Sequence, residues 1–155
     1  MLECSVIILN WNGEAMLRRY LPSVIQYTQL EGVEIVVADN GSTDASLEFL
    51  HSQPVRIIEL GENLGFAEGY NRAIEQVESK YVVLLNSDVE VTSNWLDTLL
   101  NYARAHEDVV AIQPKILSWQ SKEDAIKAGS SEILFEHAGA AGGMIDILGY
   151  PYCRG

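Results

Sequence analysis

At 155 residues and 17.2 kDa, the chain has material for one ordinary domain and too little for an enzyme with separate donor and acceptor halves. An apolar content of 48% with mean hydropathy of +0.04 excludes disorder, and 10 basic against 22 acidic residues, a net charge of −12, argue against a nucleic-acid partner or an anionic membrane surface. No run reaches the roughly 18 apolar residues of a membrane span, so no membrane insertion and a cytoplasmic location are expected, with the inner membrane face still open to it.

Short Val- and Ile-rich runs alternate with helix-length amphipathic stretches, which calls for an α/β fold with a mostly parallel sheet covered by helices on both faces. In chain order the pattern predicts strands over Cys4–Leu9, Glu34–Asp39, Arg56–Leu60, Tyr81–Asn86 and Val109–Ile116. Between them it predicts helices over Glu14–Tyr27, Ser42–His51, Phe66–Val77 and Asn94–Glu107, each with apolar residues at helical spacing. Cys4 reads as a small buried hydrophobe, and with only Cys153 besides it no disulfide framework or Cys-rich metal site is available. Beyond Trp119 the stretch Gln120–Ser131 is polar and reads as a solvated loop, and half of the twelve glycines follow from Gly129 onward. Regular packing is expected to fade there, and the ending Tyr152-Cys153-Arg154-Gly155 reads as a truncation.

Ligands of open parallel sheets gather at the carboxyl ends of the strands. Four polar or glycine-rich loops fall there: Asn10-Trp11-Asn12-Gly13, Asp39-Asn40-Gly41-Ser42-Thr43-Asp44, Gly61-Glu62-Asn63-Leu64-Gly65, and Asn86-Ser87-Asp88. Asp88 follows an apolar run and is placed to hold a Mg²⁺ or Mn²⁺ ion, which takes one or two carboxylates and completes its shell with water and phosphate. An acidic protein needs such a cation beside a diphosphate, because two unit charges 4 Å apart interact by about 4 kcal/mol at an effective dielectric near 20. The plainer reading makes Asp88 a turn cap. Asp39 faces the same crevice and suits a base or ribose, or else an Asx-turn with Asn40-Gly41. Trp11 suits stacking on a flat base or service as a core lid. Asn63, Gly65 and Asn71 lie where a ligand can approach the backbone closely, while Arg72 reads as part of a solvated face. The three histidines have no mutual metal-ligand spacing.

No G-x-G-x-x-G follows the first strand, and neither a phosphate-binding P-loop nor a serine nucleophile elbow is present. Instead, Ser5-Val6-Ile7-Ile8-Leu9-Asn10-Trp11-Asn12, Ile35-Val36-Val37-Ala38-Asp39-Asn40-Gly41-Ser42-Thr43-Asp44, Glu62-Asn63-Leu64-Gly65-Phe66-Ala67 and Leu84-Leu85-Asn86-Ser87-Asp88 together resemble the family 2 glycosyltransferases, above all their rhamnosyltransferase-like branch. The resemblance covers residues 4–117. It implies a GT-A domain, a Rossmann-like three-layer sandwich, with a nucleotide-sugar-binding core over 1–117 and the start of an acceptor-side region over 118–155. It further implies that Asp39 contacts the nucleotide base, that Asp88 binds a divalent metal on the donor diphosphate, and that Asn10, Trp11, Asn12, Asn40, Asn63, Gly65, Asn71, Asn86 and Ser87 line the donor site. The family motif usually carries two aspartates flanking one residue, and here Asn86 stands at the first position. The implied acceptor is a saccharide or lipid-linked saccharide.

No catalytic base is nominated, since Glu132, Glu136, Asp146 and the Glu123-Asp124 pair sit in no matching motif. Two rival readings stand beside this one. A sugar-phosphate nucleotidylyltransferase would need a basic, Gly-rich loop after the first strand, and Asn10–Gly13 has no Lys or Arg. The other rival is a nucleotide-sugar-binding domain without turnover.

Overall fold

A computed structural model of the chain describes residues 1–114, 116–129, 143–145 and 151–153. Strand β1 (Leu2–Asn10) forms the centre of a sheet with β2 (Val33–Asp39), β3 (Arg56–Glu59) and β4 (Ser79–Asn86), in the order β3-β2-β1-β4 and parallel throughout. The unbroken buried run Cys4–Ile8 is what a parallel strand covered on both faces requires. Burial pushes the Cys4 thiol up to about 11, with the neighbouring Glu3 charge adding to the rise, so this cysteine packs as a hydrophobe.

Helix α1 (Glu14–Tyr27) buries Leu17, Tyr20, Leu21 and Val24, a one-sided stripe at helical spacing. Helices α2 (Ser46–Leu50) and α3 (Gly65–Ile74) make the other two crossovers. The steps from β1 to β2 and from β2 to β3 run one way across the sheet, and the step from β3 to β4 returns past β1. Right-handed crossovers then put α1 and α2 on one face and α3 on the other. The packing agrees, because Tyr70 and Ala73 of α3 close over Ile7, Val36, Ala38 and Ile58. Ile7, Val36 and Ile58 each contribute roughly 1.5–3 kcal/mol by leaving water. The result is the expected α/β layered sandwich.

The chain divides into two compact units, Met1–Asp97 and Thr98–Gly155. The first holds the sheet with α1 to α3. The second holds most of α4 (Trp95–Ala105), then α5 (Trp119–Ala128) and a short antiparallel pair, β5 (Gly143–Ile145) with β6 (Pro151–Cys153).

Two expectations are corrected here. The fifth strand expected over Val109–Ile116 does not form, since residues 109–114 and 116 are neither helix nor strand and Val110 is wholly exposed. Pro114 has no N–H to give a ladder, and no partner strand stands beside this segment among the described residues. The loop expected over Gln120–Ser131 is largely helix α5. Its ends carry the reason: Ser118 Oγ accepts from the Ser121 N–H, and Gly129 closes the helix at φ 66°. Along its side, Trp119 Nε1 donates to Glu123 (2.9 Å) and Gln120 Nε2 to Asp124 (3.0 Å), both one turn on.

Candidate functional site

The parallel register brings the polar loops to one edge of the sheet. Asn10 pairs with Asp39 across β1 and β2, and Leu9 with Asn86 across β1 and β4. With strands about 4.8 Å apart, the ends of β2 and β4 stand about 10 Å from each other, so Asp39 and the Asn86-Ser87-Asp88 turn lie at the same edge, with β1 between them. The order β3-β2-β1-β4 also makes the β1/β4 gap the point at which chain direction reverses, where open α/β sheets place their ligands. A hollow of about 500 Å³ lined by Ile25, Thr28, Leu30, Val33, Pro54 and Arg56 opens instead at the amino ends of β2 and β3, away from every polar loop named above.

Side chains bolt the loops after β1 and β2 to one another. The buried Asn10 donates from Nδ2 to Asp39 Oδ1 (3.0 Å) and to Ser42 Oγ (3.1 Å), and Asp39 Oδ2 accepts from the Ser42 N–H (2.9 Å). Asp39, 2% exposed, therefore closes the Asx-type turn that its Asn40-Gly41 neighbours suggested. Asn12, at φ 49°, accepts on Oδ1 from the N–H groups of Thr43 (2.7 Å) and Asp44 (3.3 Å), while its own N–H donates to Ser42 Oγ (2.9 Å). Asp44 accepts from the N–H groups of Glu14 and Ser46, both at 3.0 Å. Desolvation works to raise its pKa, but these bonds and the Ser46 hydroxyl outweigh it and hold the carboxyl below its ordinary value. Ser42, Thr43 and Asp44 are thus engaged by the β1–α1 loop, which is why α2 starts at Ser46 and not at Ser42. Asn10 Oδ1 lies buried beneath Gly13 with no partner among the described residues.

A second clasp joins β2 to the loop after β3. The buried Asn40 donates from Nδ2 to Asn63 Oδ1 (3.0 Å) and Gly65 O (3.1 Å), and its Oδ1 accepts from the Leu64 N–H (3.0 Å). Asn63 Oδ1 also accepts from the Gly65 N–H (2.9 Å). Gly41 is required here: it has φ 76°, and a Cβ would sit 2.6 Å from the Glu62 Cα. Gly69 lets α3 press on the sheet, since a Cβ would come within 2.9 Å of the Leu9 side chain.

At the end of β4, Asn86 and Asp88 are exposed and Ser87 is half-buried. The buried Tyr70 reaches this strand from α3, its hydroxyl donating to Leu85 O at 2.9 Å. Burial pushes the phenol pKa up, the Leu9 backbone pulls it down, and the nearby Asp88 charge adds to the rise, which ties Asp88 to the same corner. Among the described residues no group of three or more His, Cys, Asp and Glu side chains is placed to hold a metal ion. A single exposed carboxylate fits Mg²⁺ or Mn²⁺ only in the mode in which phosphate and water supply the rest of the shell.

Trp11 projects at the same edge with 55% of its surface exposed. Asn71 is exposed on α3, and the strand-end clasps do not include it. Arg72 pairs with Glu68 (2.8 Å) and Glu75 (3.4 Å) on a solvated helix face. Glu132, Glu136 and Asp146 lie outside the described residues. Tyr70 and Gly69 belong to none of the four sequence motifs; helical spacing puts Tyr70 on the apolar face of its helix, where a buried hydroxyl must find a partner.

Residues 5–139 match the family model described as Glycosyl transferase family 2. YfnE, an uncharacterised Bacillus subtilis glycosyltransferase, is 32% identical over 111 residues, covering 69% of this chain and 28% of its own length. The Mycobacterium tuberculosis N-acetylglucosaminyl-diphospho-decaprenol L-rhamnosyltransferase is 29% identical over 124 residues, 72% of this chain and 40% of its own. A crystal structure of S. aureus TarS residues 1-349 in complex with UDP-GlcNAc superposes with a TM-score of 0.62 at 24% identity, over 68% of this chain and 32% of that one. The likeness extends the α/β description to the GT-A fold. The chain spans about a third of the length of the first relatives it matches. A family match running through both the sheet and the segment after it settles the assignment: the chain belongs to glycosyl transferase family 2.

Proposed function

We propose that the protein transfers a sugar from a nucleoside diphosphate sugar to an acceptor hydroxyl, with inversion by direct displacement, and that this chain carries the donor site. The observation that carries the reading is the convergence of the Asn10, Asp39, Asn63 and Asp88 loops on one sheet edge in a family 2 chain. The UDP-GlcNAc complex of a neighbour with the same fold supports a nucleotide sugar as the ligand. Trp11 offers an exposed indole face to the base, and Asp39 keeps spare lone pairs on its carboxylate for a base N–H. Asn12, Asn40, Asn63 and Gly65 shape the loops beneath the nucleotide, with Asn71 on the adjacent helix, while Asn86 and Ser87 line the diphosphate side. Asp88 is the one carboxylate of its motif that would hold Mg²⁺ or Mn²⁺. When bound, such an ion neutralises charge that builds on the departing diphosphate. A lipid-linked saccharide acceptor agrees with the name of the mycobacterial relative.

Calorimetry with UDP, dTDP and GDP, each with and without Mn²⁺, tests the reading. One nucleotide should bind, and more tightly with the metal; absence of heat with all three in a folded sample overturns the donor site. Because Asp88 stands alone, Mn²⁺ without nucleotide should bind weakly. Asp88→Ala should abolish the metal-dependent gain and spare the rest, and an unchanged metal response would remove Asp88 from the role.

A further inference from the structure

Tyr70 belongs to none of the clasps that fix the loops after β1, β2 and β3. Among the described residues those side-chain bonds stop short of the 86–88 turn. What reaches this strand end is a phenol. Its ring is locked, lying in the core with Ile7, Val36 and Ala38 and meeting Phe66 edge-on at 5.0 Å between centroids. Gly69 lets α3 come close enough for the hydroxyl to reach Leu85 O at 2.9 Å. That carbonyl belongs to the planar peptide joining Leu85 to Asn86. Leu85 is the one buried residue of β4, and after Asn86 the chain leaves the strand in a turn. A group that fixes this peptide plane also fixes the direction in which the next residues leave the sheet.

We propose that Tyr70 is a positioning residue for the Asn86-Ser87-Asp88 turn, acting through its hydrogen bond to the Leu85 carbonyl to aim the Asp88 carboxylate at the donor diphosphate. This rests on the reading of Asp88 as the metal ligand. The ring alone fills the core, as phenylalanine would; the hydroxyl is what reaches the strand end.

Tyr70→Phe in the 155-residue chain keeps the ring and removes the bond. Backbone amide exchange at residues 86–88 should accelerate by about five-fold, the equivalent of one modest hydrogen bond. UDP affinity in the presence of Mn²⁺ should fall by a similar factor, while affinity without metal stays unchanged. A merely structural role would lower the melting temperature and would weaken both affinities equally or neither. Unchanged exchange at 86–88, or equal weakening with and without metal, overturns the proposal. Asp88→Ala run in parallel separates the two ideas: if it retains the metal response, the metal reading fails, and the exchange result alone decides whether Tyr70 holds the turn. Should Tyr70→Phe not fold, the native chain supplies the test, as a Tyr70 hydroxyl proton in fast exchange with water contradicts the bond.

Discussion

Asn40→Ala probes the clasp between β2 and the loop after β3. The Asn40 side chain is 2% exposed and makes bonds of 3.0, 3.1 and 3.0 Å to Asn63 Oδ1, Gly65 O and the Leu64 N–H. Each neutral bond contributes about 1 kcal/mol net, and Asn63 Oδ1 keeps its second donor, the Gly65 N–H. Water can reach the exposed Asn63 and Gly65, which recovers part of the loss. The expected destabilisation is about 2–3 kcal/mol, equivalent to a fall in Tm of about 4–12 °C for a chain of this size. Urea unfolding followed by circular dichroism measures it, with Asn71→Ala as the control. Asn71 is exposed on α3, so its replacement should stay within about 0.5 kcal/mol of the parent. An Asn40 variant as stable as the Asn71 control would show that the clasp does not hold the two loops together.

Gly41→Ala should destabilise by at least about 2 kcal/mol, since alanine resists the left-handed backbone and its methyl meets the Glu62 backbone; an unaltered urea midpoint would refute the close approach. Asp44→Asn should lower stability at neutral pH. Because the folded carboxyl titrates below its ordinary value of 3.8, its contribution is present above that value and fades as the pH falls through the folded pKa. The gap between parent and variant should therefore narrow in acid, and a gap of constant size across the acid range would contradict the bonds to Glu14 and Ser46.

The sheet and its order of polar loops were legible because its strands are written as apolar runs, buried through β1 and exposed on one face of β4, and β1, β2 and β4 each end on the Asn or Asp that closes its run. The start of α2 was not legible: Ser42, Thr43 and Asp44 are good capping residues by type, and tertiary pairing with Asn10, Asn12 and Glu14 diverts them. The absent strand at Val109–Ile116 shows the converse, an apolar run with Pro114 in it and no neighbour to pair with among the described residues. Helix α5 escaped notice because it is held by local caps and one-turn polar pairs and buries little, so its period is faint. Residue types placed the polar loops at the carboxyl ends of the strands, and the register brings those ends to one edge. Which amide bonds to which carboxylate depends on register, which one strand's composition does not encode.

The clasps have a thermodynamic corollary. The loops after β1, β2 and β3 are already ordered by amide and carboxylate side chains before any ligand arrives, so whatever seats on them forfeits little chain entropy on binding. Among the described residues, the side-chain bond nearest the turn after β4 is the one from Tyr70 to Leu85 O, and this turn is where ordering remains to be done. Association on this edge should therefore split into a nearly rigid half and an adaptive half, with the unfavourable entropy concentrated in the second.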